Sequence, residues 1–239
     1  MSKVYVVIPH YNNWSLTHSR LNELYKYCRN SVTEVLVVAN GSTDGGTKGG
    51  LEWWSKFPST TEFKVRSLWI EENVGFLKAS NAGIFDIVSR CEPDDIIVLL
   101  SNDVEVRTDF VSQVTDIISH APDSLVGGVL YTHDTGWNVF GDKLFPYIEG
   151  WLLAMTSTGW AKAEWGFDER FAPSDYEDVD LSTYMLTCGY ELVPLNNPGI
   201  HHIGGQSYGY TEVRRKRTEE NRIKFQEKWI GKNEDTISV

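Results

Sequence analysis

Short runs rich in apolar residues recur along the first hundred positions, and each ends in polar, turn-forming residues. The runs lie at residues 4–8, 34–39, 63–70 and 96–100. Runs of this length are typical of strands that are buried on both faces of a sheet. The segments between them, at residues 15–28, 48–56 and 78–89, predict helices, and Ser15 is the expected cap of the first. This alternation predicts an α/β fold with a parallel sheet and right-handed crossovers.

The second half of the chain is less regular. The pattern predicts strands at residues 125–131, 151–156 and 190–194, and a helix at residues 108–119. Another helix should follow an acidic stretch at residues 175–180 and end at Gly189. Residues 132–150 are rich in glycine and aromatic residues and give no clear assignment. A charged helix is expected at residues 211–230, anchored by Val213, Ile223 and Trp229.

The apolar run at residues 96–100 ends abruptly in Ser-Asn-Asp-Val-Glu. In open parallel sheets, ligands bind just beyond the carboxyl ends of the strands. A carboxylate placed there can hold Mg²⁺ or Mn²⁺ and, through the cation, a diphosphate. The simpler interpretation is that an acid here caps the helix that begins near Thr108. The run by itself leaves both interpretations open.

Charge and cysteine content narrow the class of partner and the compartment. The net charge of −11 argues against nucleic acid or an anionic membrane as the main partner. Three widely spaced cysteines fit neither a disulfide framework nor a zinc site, so we expect a reducing cytoplasm. The sequence shows neither a signal peptide nor an apolar stretch long enough to span a bilayer. Any membrane contact is therefore expected to be peripheral.

Seven short motifs occur in a fixed order along residues 7–205. They are Val-Ile-Pro-His-Tyr-Asn (7–12), Asn-Gly-Ser-Thr-Asp-Gly (40–45), Asn-Val-Gly-Phe-Leu-Lys-Ala-Ser-Asn-Ala-Gly (73–83), Leu-Ser-Asn-Asp-Val-Glu-Val (100–106), Gly-Phe-Asp-Glu-Arg-Phe (166–171), Tyr-Glu-Asp-Val-Asp-Leu (176–181) and His-His-Ile-Gly-Gly (201–205). Together they resemble the inverting glycosyltransferases of family 2, most closely the branch that builds bacterial surface polysaccharides and includes rhamnosyltransferases.

The resemblance implies the GT-A fold, a single Rossmann-like domain whose mostly parallel central sheet is flanked by helices, with a small acceptor-side subregion. Residues 1–105 would form the half that binds the nucleotide sugar, and residues 106–210 the acceptor and catalytic half. Residues 211–239 would form a C-terminal helix and tail.

The resemblance also assigns residues to the donor and the cation. The positions implied in donor binding are Pro9, Tyr11, Asn40, Asp44, Asn73, Gly75, Lys78, Asn81, Asn102 and Asp103. The stretch 101–103 occupies the place of the family's Asp-x-Asp motif but keeps only its last acid, so Asp103 becomes the main ligand for Mn²⁺ or Mg²⁺. Asn102 or Glu105 would assist, and His202, or else His201, would complete the metal shell.

An inverting transfer needs a base that takes the proton of the acceptor hydroxyl as its oxygen attacks the anomeric carbon. By family position that base is Asp178, and Glu177 and Asp180 would orient acceptor hydroxyls. A helix N-terminus is expected to lower the pKa of Asp178 and keep it ionised. The alternative is an acidic first turn that only stabilises the helix.

Two further groups of residues are expected near the acceptor. Residues 149–151 (Glu-Gly-Trp) and Trp137 would shape the acceptor side. The basic run Arg214, Arg215, Lys216 and Arg217 either contacts a diphosphate or an anionic acceptor, or is a solvated helix face.

These expectations combine into one activity, a metal-assisted sugar transfer with inversion. The donor would be a UDP- or dTDP-linked sugar and the acceptor a hydroxyl of a glycan or glycolipid. A sugar nucleotidyltransferase would usually show a loop rich in glycine and arginine after the first strand, where residues 9–12 read Pro-His-Tyr-Asn. A dinucleotide-dependent dehydrogenase would need Gly-x-Gly-x-x-Gly there. An inactive module that binds glycans or nucleotides stays open, because the Asp-x-Asp motif is incomplete.

Overall fold

The computed structural model describes residues 2–57, 63–204 and 211–231. Its first half alternates strands and helices as the sequence predicts. The strands are β1 (Val4–His10), β2 (Glu34–Asn40), β3 (Lys64–Ile70) and β4 (Ile96–Leu100), and the helices between them are α1 (Trp14–Cys28), α2 (Gly45–Lys56) and α3 (Gly75–Val88). β1 pairs in parallel with β2 and β4, and β2 pairs in parallel with β3. The predicted parallel sheet is therefore confirmed.

Helix boundaries in this half differ from those predicted by a few residues. Ser15 is not the cap of α1, because Asn13, with φ 53°, stands at that position without a capping side-chain bond. α2 and α3 begin at Gly45 and Gly75, three residues before the predicted starts. Gly75 has φ +86°, and a Cβ there would lie 2.5 Å from Pro173 Cβ, so only glycine fits this turn.

The second half completes the sheet and covers its carboxyl end. It contains strands β5 (Val104–Val106), β6 (Ser124–Gly127), β7 (Leu130–Tyr131), β8 (Val139–Phe140), β9 (Lys143–Leu144), β10 (Tyr147–Ile148), β11 (Leu152–Thr156), β12 (Glu191–Pro194) and β13 (Ile200–His202), and helices α4 (Phe110–His120), α5 (Ser157–Lys162), α6 (Glu177–Thr187) and α7 (Glu212–Trp229). The main sheet has seven strands in the order β12-β6-β11-β4-β1-β2-β3. β11 runs antiparallel to β4, so the sheet is mostly rather than wholly parallel.

The core lies on both faces of this sheet. Alternate residues of β1 and β4 pack into two separate apolar clusters, one with Val6 and Val98 and the other with Val7 and Leu99. Every residue of β1, β2 and β4 is buried, which explains why these strands appear as near-continuous apolar runs.

The start of α4 decides whether the acid after β4 is the cap of the following helix. The cap of α4 is Asp109, whose carboxylate accepts a hydrogen bond from the Ser112 backbone N–H at 3.1 Å. Asp103 is therefore not a helix cap. It lies instead in the short loop between β4 and β5.

α7 docks differently from the prediction. Val213 is 77% exposed and Ile223 51% exposed, so neither is an anchor. The fully buried residues of the helix are Asn221 and Phe225, and Trp229 packs against the same apolar cluster as Phe225. α7 has too few apolar residues to form a continuous apolar face. The buried side-chain amide of Asn221 therefore takes a position on the face that packs against the rest of the protein. No helix in the described ranges is long and apolar enough to cross a bilayer.

Candidate active site

A cleft of about 670 Å³ opens where β1 and β4 end. The loop after β4, residues 149–151, the turn before α6 and the first turns of α7 form its walls. The predicted site residues that line it are Pro9, Tyr11, Asn40, Asn102, Asp103, Glu177, Asp178 and His202, together with Trp137, Glu149, Gly150 and Trp151. The structure therefore brings predicted site residues from the first half of the chain, such as Asp103, into the same cleft as Asp178 and His202 from the second half.

Asp103 and His202 lie side by side on one wall of the cleft. β13 pairs antiparallel with β5, which sets His202 opposite Val104 and places its Nε2 3.3 Å from Asp103 Oδ1. The Ser101 hydroxyl donates to the same oxygen at 2.5 Å. Burial alone would raise the pKa of Asp103, but the hydrogen bonds from His202 and Ser101 outweigh it and lower that pKa. The carboxylate is therefore ionised at neutral pH.

The imidazole of His202 is held in place by Trp151. The two rings stack with centroids 5.4 Å apart and planes 19° apart. The Trp151 Nε1–H donates to Glu149 Oε2 at 3.0 Å, and Glu149 Oε1 lies 4.0 Å from His202 Nδ1. Gly128 makes room for the indole, because a Cβ at that position would lie 1.9 Å from it. This packing fixes the plane in which His202 presents Nε2.

The pair fits a cation that is shared with a substrate. No cluster of three or more histidine, cysteine or acidic side chains suited to a metal occurs in the described ranges. Glu105 pairs with Arg107 at 2.6 Å, which turns its carboxylate to a protein cation, and the Asn102 Nδ2 donates to the Thr17 hydroxyl at 3.1 Å. Mg²⁺ commonly takes one or two protein ligands and completes its shell with phosphate oxygens and water. Asp103 and His202 offer such a partial shell.

Asp178 lines the same cleft, in the first turn of α6. Its carboxylate accepts hydrogen bonds from the Gly150 N–H at 3.0 Å and its neighbour Val179 N–H at 2.9 Å. Burial raises the pKa of Asp178 to about 6, assisted by the negative charge of Glu149 and only partly opposed by the two backbone donors. The expected lowering by the helix N-terminus is therefore wrong, because desolvation is the larger effect. A carboxylate with this pKa is ionised at neutral pH and still basic enough to accept a proton.

Glu177 is more deeply buried than Asp178. Burial, together with the adjacent charge of Asp178, raises its pKa well above the usual range. Its Oε2 has no hydrogen-bond partner within the described parts of the chain. Burial thus favours the neutral form of Glu177 in the cleft lining, which suits hydrogen bonding to a hydroxyl better than proton abstraction.

Asp180 does not belong to the cleft, contrary to the sequence prediction. Its carboxylate is buried against α7, where it accepts from Lys228 Nζ at 2.9 Å and from Trp229 Nε1 at 2.7 Å. One helical turn separates residues 177 and 180, and the structure shows that they reach different neighbours. Asp180 is a structural anchor for α7.

We expect Asp180→Ala to reduce stability and leave transfer at low temperature nearly unchanged. Lys228 keeps its ion pair with Asp168 at 2.8 Å, so the main loss is the acceptor of the Trp229 N–H, and a buried donor left unsatisfied costs about 1–3 kcal/mol. Thermal unfolding and a transfer assay well below the melting temperature check this. A variant of normal stability whose acceptor KM rises would return Asp180 to the acceptor site.

Several residues predicted to bind the donor hold loops together instead. The Asn40 amide donates to Asn73 Oδ1 at 2.9 Å, and that oxygen also accepts from the Gly75 N–H at 3.0 Å. The Asp44 carboxylate accepts from the Trp14 N–H at 2.9 Å. Of these four predicted residues only Asn40 lines the cleft.

Lys78 and Asn81 are also turned to protein partners. Lys78 lies 3.2 Å from the Glu169 carboxylate and is half exposed. Asn81 exchanges two hydrogen bonds with the Phe167 backbone, at 2.8 and 2.7 Å. Both therefore fasten α3 to the segment before α6 and stand outside the cleft lining.

His10 is a cleft residue to which the sequence analysis gave no role. Its ring nitrogens contact the hydroxyls of Thr17 at 2.8 Å and Thr47 at 2.7 Å. Burial lowers its pKa to about 4, so it is neutral and braces the loop that carries Pro9 and Tyr11. The position of His10 at the end of a buried strand is the feature of the sequence that could have pointed to a role in the site.

The basic run lies at the mouth of the cleft and is largely paired. Arg214 and Arg217 bind the carboxylate of Asp175 at 2.9 and 2.6 Å. Arg215 binds Glu212 at 2.6 Å, and Lys216 is exposed. The run is thus divided, because Arg214 and Arg217 are turned to Asp175 while Arg215 and Lys216 are exposed to solvent.

Comparison with known proteins agrees with this architecture. No curated protein sequence matches the chain. A mannosyltransferase from Pyrobaculum calidifontis, solved with GDP-Man and Mn²⁺, superposes with TM-score 0.69 at 18% identity, covering 97% of this chain and 65% of that one. GalNAc-T7, solved with UDP, GalNAc and Mn²⁺, superposes with TM-score 0.73 at 15% identity, covering 97% of this chain and 49% of that one. The chain thus spans less than two thirds of the length of either, and at these identities the likeness establishes the GT-A fold alone.

The amino-acid sequence identifies the family of the chain. The model of glycosyl transferase family 2 matches residues 5–172, from β1 to the segment before α6. That range holds the central strands and the Asp103 loop, and it covers well over half of the chain. The chain belongs to glycosyl transferase family 2.

Proposed function

We propose that this protein transfers a sugar from a nucleoside diphosphate sugar to a hydroxyl group of a glycan or glycolipid, with inversion. The observation that carries the proposal is the cleft, which is lined by both the Asp103–His202 pair and the Asp178 carboxylate. A donor held by its diphosphate on one wall would leave its anomeric carbon open to an acceptor on the other. The complexes of the two similar structures, with GDP-Man and Mn²⁺ and with UDP, GalNAc and Mn²⁺, support this class of donor.

Each side of the cleft has a separate task in this reaction. Asp178 takes the proton of the acceptor hydroxyl, and the Gly150 and Val179 N–H groups fix the direction of its carboxylate. The oxygen then attacks from the face opposite the departing diphosphate, which inverts the anomeric carbon. Asp103 and His202 would hold a divalent cation, whose charge stabilises the leaving diphosphate.

The pH dependence of transfer tests the base. Because Asp178 must be ionised and burial raises its pKa to about 6, kcat/KM should be constant near neutral pH and fall below about pH 6. Steady-state rates between pH 4.5 and 8, with protein integrity followed by fluorescence, provide the measurement. A flat profile down to pH 4.5 would contradict the assignment.

A donor screen tests the function as a whole. Thermal stabilisation is measured with UDP-, dTDP- and GDP-linked sugars, with Mn²⁺ and with chelator, because a ligand that binds the native state raises its stability. Donors that stabilise the protein are then offered acceptor glycans, and NMR reads the anomeric configuration of the product. Transfer with inversion supports the proposal. Cation-dependent binding without turnover would instead identify an inactive nucleotide-sugar module.

The finer assignments follow from the resemblance of the motifs. We include a deoxyhexose such as rhamnose among the donors, and a polysaccharide precursor as the acceptor class. Preferential stabilisation by dTDP-rhamnose over UDP- and GDP-hexoses would support the former. The proposed compartment is the cytoplasm, because Cys28, Cys91 and Cys188 are all free thiols.

A further inference from the structure

The turn before Asp178 has an unusual backbone. Asp175 has φ 77° and Tyr176 has φ 75°, two successive residues in the left-handed region without a glycine. A residue other than glycine is strained in this region and persists there only where its surroundings enforce it. Because Asp178 follows two residues later, the direction of its carboxylate depends on this turn. Two restraints from α7 enforce this turn.

The first restraint is Asn221 of α7, which is fully buried. Its Nδ2 lies within hydrogen-bond distance of three backbone carbonyls, at 2.9 Å from Phe171, 3.1 Å from Ser174 and 2.9 Å from Asp175. An amide nitrogen has two hydrogens, so at least one is shared between two acceptors. One side chain thus ties the whole segment 171–175 to α7.

The second restraint acts on the Asp175 side chain. Its carboxylate accepts from Arg214 at 2.9 Å, Arg217 at 2.6 Å and the Thr218 hydroxyl at 3.1 Å. Charge-assisted bonds of this kind are roughly twice as strong as neutral ones. The ring of Tyr176 packs on Phe225, with centroids 5.7 Å apart. Each left-handed residue is therefore held by side chains of α7.

We propose that α7 is a positioning element for the base, in which Asn221 and the ion pairs of Asp175 hold the left-handed turn that aims Asp178 into the cleft. The proposal rests on the proposed function, because it takes Asp178 to be the base. It assigns a task to a helix that lies outside the residues matched by the family model, 5–172. It also gives a role to Arg214 and Arg217 of the basic run, which act on the base through Asp175.

Two variants test the proposal. Asn221→Leu removes the donor to the three carbonyls at similar volume. Asp175→Asn is milder, because asparagine tolerates the left-handed region, and it removes the charge and one of the two acceptor oxygens. Misplacing a reacting group by about 1 Å costs roughly 100-fold in rate, so we expect kcat to fall by roughly 10- to 100-fold. Donor KM and Mn²⁺-dependent donor affinity should not change, because Asp103 and His202 are untouched.

The matched control is Ile118→Ala, a cavity in α4 far from the turn. Its melting temperature should fall, because a buried side chain is truncated, and it should keep its kcat at a temperature where it is folded. If Asn221→Leu or Asp175→Asn behaves like this control, with a lower melting temperature and unchanged kcat, α7 is only structural and the proposal is overturned. Should Asn221→Leu fail to fold, Asp175→Asn decides.

A readout without turnover separates this proposal from the proposed function. The Asp178 carboxyl is titrated by NMR in isotope-labelled protein. The titratable groups that face it, Glu149, Glu177, Tyr131, Tyr147 and Tyr176, are all kept in Asn221→Leu, whereas Asp175→Asn also removes a negative charge that raises the pKa of Glu177. The titration is therefore read in Asn221→Leu, where a loosened turn admits water and the pKa should fall from about 6 towards the ordinary carboxyl range. An unchanged pKa overturns the positioning role, even if the wild-type protein transfers no sugar.

Discussion

Replacing Asp178 by asparagine should reduce the rate of sugar transfer by roughly 10²- to 10⁴-fold, the usual contribution of a general base. Asparagine has nearly the same size and can keep an acceptor oxygen for one of the two backbone N–H groups, at Gly150 or Val179. It cannot accept a proton near neutral pH. Donor affinity should hardly change, because the base faces the acceptor. Single-turnover rates and donor calorimetry measure the two effects separately.

The control for this experiment is Asp142→Asn, which removes one negative charge at an exposed position and should leave transfer unchanged. Near-normal transfer by Asp178→Asn would pass the base role to Glu177, the other acid in this wall of the cleft. Loss of donor binding instead would mean that the turn belongs to the cation site. The division of the cleft into donor and acceptor walls would then be wrong.

Replacing Asp103 by alanine should abolish the cation-dependent part of donor binding. Removing a desolvated charged partner costs about 2 kcal/mol or more of binding, so affinity for the nucleoside diphosphate in Mn²⁺ should fall at least roughly 30-fold. The fold should survive, because the carboxylate contacts only the Ser101 hydroxyl and His202 among its described side-chain partners. Calorimetry of a nucleoside diphosphate with Mn²⁺ and with chelator gives the difference.

Glu105→Gln is the matched control, since Glu105 lies on the adjacent strand and pairs outward with Arg107. It should bind the donor as the wild type does. If Asp103→Ala bound the donor with unchanged affinity, Asp103 would not hold the cation. His202 would then have no metal-binding role beside it. A loss that is the same with and without Mn²⁺ would show that Asp103 contacts the donor directly.

The motifs were sufficient to identify the segments that line the cleft. They did not show which residues within each motif face it. Asp103, Asp178 and His202 were predicted from the resemblance of their motifs to those of the family, and all three line the cleft. Lys78, Asn81 and Asp180 stand in the same motifs and bind protein neighbours instead. The difference depends on which distant segment packs against each side chain, and no local pattern encodes that.

The sequence by itself determined the parallel half of the sheet, the family and the order of its motifs, because apolar periodicity and short motifs are local properties of the chain. Tertiary structure alone decided the pKa of Asp178, since desolvation depends on what covers the carboxylate. It also decided the partners of α7, where Asn221 reaches Phe171 across 50 positions of sequence. Contacts of this range arise only when the folded sheet brings its carboxyl end and the C-terminal helix together.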